Sequence, residues 1–246
     1  PSIPFVAIPT TLSAGEFTNF AGITNEKIPR KEVFWHPDIA PHSVILDPVM
    51  TTETPDNLFF STGIRAVDHA VETWCSINVT PPAEALSLHA LRILADSLPI
   101  TKQNPNAESR LNCQIGSWLS VQGVSTGVDL GASHGIGHVL GGTAGMPHGE
   151  TSCVMLPHVL AFNSEFNNGR QKILAEIMEK GDVPLSILIS DLVNALSLPS
   201  RLRDAAVPQN LLETIAKESM LDHWVTTNPR PIEGPSLILS LLKNAW

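Results

Sequence analysis

The sequence predicts a mainly α protein, with a short strand-rich segment at residues 1–54 leading into an all-helical body at residues 55–246. Two observations predict it. In the first segment apolar residues come in short runs, Phe5–Ile8, Phe17–Ile23 and Ser43–Leu46, separated by Pro, Gly and Asn, which is the pattern of strands and turns. From Pro55 onward the apolar spacing lengthens to about 3.6, the period of a helix.

Each element has its own signal. Phe5–Ile8 is an unbroken apolar run, predicting a buried strand that enters the polar turn Pro9-Thr10-Thr11. Helical spacing covers Leu58–Ser76, Pro82–Leu98, Glu108–Gly127, Leu130–Gly141, Ser152–Asn163 and Pro184–Leu196. Pro81-Pro82 opens one helix, because proline tolerates the first helical turn, and Gly141-Gly142 predicts the end of another. Pro208–Ser219 and Pro235–Ala245 are the last helices of a small C-terminal subdomain. There is no internal repeat.

Composition excludes several classes of function. With 43% apolar and 16% charged residues the chain is globular in kind. A net charge of −9, with no run of Lys and Arg to offset it, speaks against nucleic acid as a partner. No apolar run is long enough for a membrane span. Three scattered cysteines, Cys75, Cys113 and Cys153, fit reduced thiols in a cytoplasmic protein rather than a disulfide framework. The chain opens at Pro1 on a central-looking strand, and a preceding portion is expected.

The chemistry concentrates between Leu130 and Val159, which holds four of the nine histidines: His134, His138, His148 and His158. His134 and His138 are four apart in a helical segment and so share a face, a spacing that presents two imidazoles to one ion or one substrate. His148 follows the Gly141-Gly142 break, in a loop able to fold back toward them. Upstream, Arg65 and His69 repeat the same spacing, and Arg65 has Asp68 and Glu72 within reach as ion-pair partners on its own helix. For each residue the plain alternative is structural: a helical histidine is more often a hydrogen-bonded core residue than a ligand. His36, His42, His89, His158 and His223 are read that way.

Six segments, in order, carry a resemblance: Ile8-Pro9-Thr10-Thr11 with Gly15-Glu16; Ile45-Leu46-Asp47-Pro48; Gly63 with His69-Ala70-Val71-Glu72; His134 with His138-Val139-Leu140-Gly141-Gly142; Pro147-His148-Gly149; and Leu156-Pro157-His158. Together they resemble the iron-containing alcohol dehydrogenase superfamily. Pro199-Ser200-Arg201-Leu202-Arg203 and the closing Asn228-Pro229-Arg230-Pro231 are similar to its maleylacetate reductase branch.

The resemblance implies a dehydroquinate synthase-like helical C-terminal domain, residues 55–246. It would be preceded by the last strands of a truncated α/β dinucleotide-binding domain, residues 1–54. The family's Gly-Gly-Gly-Ser phosphate loop has no counterpart here, and with it goes the main grip on NAD(P). Thr10 and Thr11 match a second nucleotide contact. His69, His134 and His148 match three metal-ligating histidines, and His138 matches the histidine that moves a proton beside nicotinamide and substrate. The family's aspartate ligand falls on Arg65, and a guanidinium cannot ligate Fe²⁺ or Zn²⁺. Asp68 points about 60° away around the helix. A metal-free site is therefore favoured, with Arg65 supplying positive charge.

The expected function is an NAD(P)H-dependent oxidoreductase acting on a small carbonyl or keto-acid substrate. The alternatives are a non-redox enzyme (aldol, retro-aldol, cyclisation or decarboxylation) that reuses the His/Arg pocket, and a binding or structural subunit. Open strand edges near Phe5–Ile8 predict a covering partner, either a homodimer or a chain bearing the complementing nucleotide domain.

Overall fold

The computed structural model describes residues 3–25, 30–179 and 181–246, with the side chains at positions 24, 25 and 30–33 outside the described set. Among the described residues four strands precede ten helices. β1 (Val6–Ala7) pairs in parallel with β4 (Ser43–Val44), Val6 opposite Ser43, and β2 (Phe20–Asn25) pairs antiparallel with β3 (Arg30–Trp35), Phe20 opposite Trp35. The predicted strand at Phe5–Ile8 is shorter than its apolar run and is not buried: Phe5, Val6 and Ile8 are all exposed. With only two residues paired on one side, nothing among the described residues covers its faces. The run Phe17–Ile23 begins at the end of a one-turn 3-10 helix (Gly15–Phe17) before entering β2, and β3 had no counterpart in the predicted elements.

The helical body is built around α1 (Asp56–Cys75), whose residues from Phe59 to Cys75 are all buried. Against it pack α2 (Pro81–Gln103), α3 (Ala107–Ser120) and α6 (His148–Ile177), with α7 (Leu185–Ala195) completing one apolar cluster around Ile64, Leu91, Leu94, Leu156 and Ile189. A second cluster joins α5 (Ala132–Ala144), the first half of α6, α8 (Leu212–Ser219) and α10 (Pro235–Ala245) around Ile136, Leu140, Met155, Ile215 and Leu242. The short α4 (Gln122–Ser125) and α9 (His223–Thr226) fill the gaps.

Several boundaries differ from the periodicity, for local reasons. The helix predicted over Glu108–Gly127 breaks at Val121, where Gly123 packs so closely that an added Cβ would lie 2.3 Å from Thr73 Cγ2. Gly141-Gly142 does not end α5, which runs on to Ala144 and is capped by Gly145 in the left-handed region (φ 67°). α6 begins four residues earlier than predicted, at His148 after Pro147, and runs through Pro157 to a kink at Asn167. The N-terminal turn is pinned to this body through Leu12, fully buried: its N–H donates to Thr62 Oγ1 (3.0 Å) and its carbonyl accepts from Ser117 Oγ (2.7 Å).

Candidate active site

α1 carries an unusual stripe for a central helix: Arg65, Asp68, His69 and Glu72, spaced to share one face and all buried. Burying charge is costly unless it is hydrogen-bonded, so what this stripe meets defines the site. It meets the N-terminus of α5. The Glu72 carboxylate caps that helix from outside, accepting from Gly131 N–H (3.0 Å), Ser133 N–H (2.9 Å) and His134 N–H (3.3 Å), while Asn228 Oδ1 accepts from Ala132 N–H (3.2 Å). The exposed amides of a helix N-terminus carry partial positive charge, and a carboxylate there is stabilised by it. The close fit also requires glycine: a Cβ at position 131 would lie 2.8 Å from Glu72 Oε1.

His134 is fully buried, and its Nδ1 lies 2.8 Å from Glu72 Oε2 and 3.4 Å from Asp68 Oδ2. Carboxylates only accept, so Nδ1 carries the proton and the opposite nitrogen, Nε2, is left buried with no partner. Asp68 accepts from Ser133 Oγ (2.7 Å). Burial pushes its carboxyl up, but His134, Arg65 and the hydroxyl of Ser152 outweigh that and hold it below the usual carboxylate value. His69 stacks on His134 with ring centroids 4.8 Å apart and leaves Nδ1 unpartnered. Burial, helped by His134, Arg65 and His138, keeps it well below the ordinary histidine value, so it is neutral.

From His134 the rings continue. Trp224 stands edge-on to His134 (5.7 Å) and tilts over His138 (5.0 Å), and His138 lies parallel to His148 (5.9 Å, 1° between planes). His138 Nδ1 donates to Asp222 Oδ2 (2.9 Å). Burial lowers His138 despite that carboxylate, with Arg65 and His134 adding to the effect. The structure thus gathers His69, His134, His138 and His148, the four imidazoles predicted for the site, into one row. His148 occupies the first position of α6 rather than a loop.

Arg65 has no ion pair within 4.0 Å among the described residues, so the expected pairing with Asp68 or Glu72 along α1 is not made. Its Nη1 donates to Ser152 Oγ on α6 (3.0 Å) and its Nε has no partner. Burial pushes it down to about 10, against the pull of Asp68, Glu72 and Asp222, so it remains a cation at neutral pH. The set of donor atoms that closes within 4.8 Å consists of Asp68, Glu72 and His134; His69 and His148 are not in it. All three hold partners, Glu72 the α5 amides, His134 Nδ1 the Glu72 carboxylate and Asp68 Oδ2 the Ser133 hydroxyl, while Asp68 Oδ1 and His134 Nε2 are buried without one. Thr10 is exposed; Thr11 is partly buried, with its hydroxyl 2.7 Å from Ser13 Oγ. His158 is half-buried away from the row, beside Arg201, and His223 pairs with Asp129 on the surface (3.0 Å). The three thiols are free, buried and raised by burial, hence poor nucleophiles.

Sequence reasoning missed Asp222, Trp224, Ser133 and Ser152. Ser152 stands four residues after His148 on α6, a spacing that could have found it, and Ser133 precedes His134. For Asp222 and Trp224 there is no such signal, and only the fold brings residues 84 positions apart, such as His138 and Asp222, into contact.

A mainly helical domain with a histidine row at the meeting of α1, α5, α6 and α9, running from buried His69 and His134 through partly buried His138 to exposed His148, defines a class. The model of the C-terminal domain of the Fe-containing alcohol dehydrogenase family matches residues 59–246, and the chain belongs to that family. Within it, the chain is similar to maleylacetate reductase 1 of Cupriavidus pinatubonensis (29% identical over 245 residues, 99% of this chain and 67% of the relative). The maleylacetate reductase of Delftia acidovorans is 32% identical over 248 residues, covering all of this chain and 68% of the relative. The crystal structure of maleylacetate reductase from Rhizobium sp. strain MTP-10005 superposes with a TM-score of 0.88 at 27% identity, over 99% of this chain and 67% of that one. The chain therefore spans about two thirds of the length of these relatives. No helix among the described residues is long and apolar enough to cross a membrane.

Proposed function

We propose that the chain is the catalytic, helical part of an NAD(P)H-dependent oxidoreductase that reduces an anionic keto acid of the maleylacetate kind, without a metal ion. Residues 55–246 are the catalytic domain and residues 1–54 belong with the nucleotide-binding portion. The observation that carries this is Arg65: a buried cation with no carboxylate partner within 4.0 Å among the described residues and an unsatisfied Nε, set beside the imidazole row. Buried charge in that condition costs stability and is kept where a ligand completes it. A keto acid brings a carboxylate and a carbonyl oxygen, and a guanidinium binds either through paired N–H donors.

The residues present do not fit a divalent cation of the family's kind. A guanidinium stands where a carboxylate ligand would be, its charge adds to the burial that depresses His69 and His138, and Glu72 is taken up by the α5 amides, which leaves one carboxylate oxygen, Asp68 Oδ1, without a partner. Arg65 takes over charge stabilisation, holding the substrate oxygen on which negative charge develops. When bound, NAD(P)H supplies a hydride. Thr10 and Thr11 offer hydroxyls at the turn where the cofactor's ribose or phosphates would run. His138, with Nδ1 held by Asp222, presents Nε2 to relay the balancing proton from solvent.

The test follows NADH or NADPH oxidation with maleylacetate as substrate, together with iron and zinc content by elemental analysis. Turnover lost in Arg65→Met, with metal well below one equivalent per chain, is the expected result. A full equivalent of metal, or no cofactor binding at millimolar concentration, overturns the proposal for this chain.

A further inference from the structure

We infer that Asp222 is a positioning residue for the proton-transferring His138, and that it sets the tautomer of that imidazole while fixing the aromatic wall beside it. The inference rests on the proposed role of His138. Asp222 is the N-cap of α9, a four-residue helix, and its two oxygens have different tasks. Oδ1 accepts from Trp224 N–H (2.9 Å), which starts the helix; Oδ2 accepts from His138 Nδ1 (2.9 Å). One carboxylate therefore places both the imidazole and the indole that leans over it at 5.0 Å.

Free neutral imidazole divides its proton between its two nitrogens, whereas a carboxylate at Nδ1 retains it there and leaves Nε2 as the base. A carboxylate in that place also stops the ring from turning and favours the imidazolium that forms as a proton passes. A second observation shows that the arrangement is built in. Gly135, on α5 one turn before His138, lies under α9 so closely that an added Cβ would sit 2.9 Å from Val225 N and 3.0 Å from Asp222 Oδ1. Only glycine lets α9 approach α5 near enough for Asp222 to reach the ring.

The test is nitrogen-15 NMR of histidine-labelled protein at mildly alkaline pH, with the His138 ring assigned from His138→Gln. The wild-type chain should show Nδ1 protonated and Nε2 bare. Asp222→Ala should redistribute the proton toward Nε2, and Asp222→Asn, whose one oxygen is taken by Trp224 N–H so that its NH2 faces the ring, should leave Nδ1 bare and place the proton on Nε2. In turnover, Asp222→Ala should lower kcat by roughly tenfold or more with KM little changed. A residue that only capped α9 would move thermal stability and leave the tautomer alone. A wild-type His138 protonated at Nε2, or a tautomer unchanged in Asp222→Ala, overturns the inference; the wild-type spectrum decides even if the alanine variant fails to fold. The spectra do not depend on turnover, so a chain that proves unable to use NAD(P)H would sink the oxidoreductase proposal and leave this one standing.

Discussion

Glu72→Ala should be the most damaging single substitution near the site, and its cost can be worked from contacts. The Glu72 carboxylate receives three backbone N–H groups at 2.9–3.3 Å and the His134 ring at 2.8 Å. Losing an N-cap costs about 1 kcal/mol, and a carboxylate in a partly buried helix-dipole position contributes up to about 2 kcal/mol. A charge-assisted hydrogen bond to a buried ring adds about 1.5–3 kcal/mol. These overlap, since one group makes them all, and breaking a buried charged hub typically costs about 3–5 kcal/mol. A loss near 4 kcal/mol is expected, which for a chain of this size lowers Tm by roughly 10 °C. Glu72→Gln keeps one accepting oxygen and should lose about half as much. The assay is reversible urea denaturation followed by far-ultraviolet circular dichroism, with m-values compared. If Glu72→Ala costs less than about 1 kcal/mol, the usual value of an exposed pair, the carboxylate is not what holds α5 in place.

Three further outcomes are expected. Gly135→Ala should destabilise by about 1–3 kcal/mol through overpacking against α9, whereas Gly142→Ala, with nothing within 4 Å, should be neutral or stabilising by about 0.5–1 kcal/mol; equal effects in thermal melts would contradict the packing. Arg65→Met should be no less stable than the wild type at neutral pH, because the depression of Arg65 from 12.5 to about 10 corresponds to about 3 kcal/mol of charge burial. Between those two values the unfolded chain binds the proton that the folded chain has released, so wild-type stability should rise relative to Arg65→Met as pH passes 10; a gap that widens instead refutes the buried cation. For His69 the sign is the same: its folded value lies well below 6.5, so once pH falls below 6.5 the unfolded chain binds a proton that the folded chain does not, and stability falls. His69→Asn should flatten the acid limb of the stability curve, and an unchanged limb would rule His69 out as its source.

The helical body was legible because α1, α2 and α7 carry a full apolar stripe, and its period survives any packing. The first segment was legible only as to its kind: Phe5–Ile8 reads as buried, yet its side chains are exposed, because burial depends on what covers a strand and not on the strand's own residues. The pairs His134/His138 and Arg65/His69 followed from helical spacing alone, since four residues make about one turn. That His148 begins α6 did not follow, since Gly141-Gly142 suggested a break that the α5–α6 packing overrides.

The sequence by itself determined which residues share a face of a helix, and hence that Arg65 with His69 and His134 with His138 would be presented together. Only the tertiary structure decided what each polar atom meets. Glu72 is taken up by the α5 amides, Arg65 is left without a carboxylate, and Asp222 reaches His138 from a segment whose sequence neighbours no histidine of the row. Contacts within a helix repeat with the backbone and can be counted along the chain. Contacts between helices depend on how closely two backbones approach, and here that distance was set by glycines at 131 and 135 whose role appears only once the helices are in place.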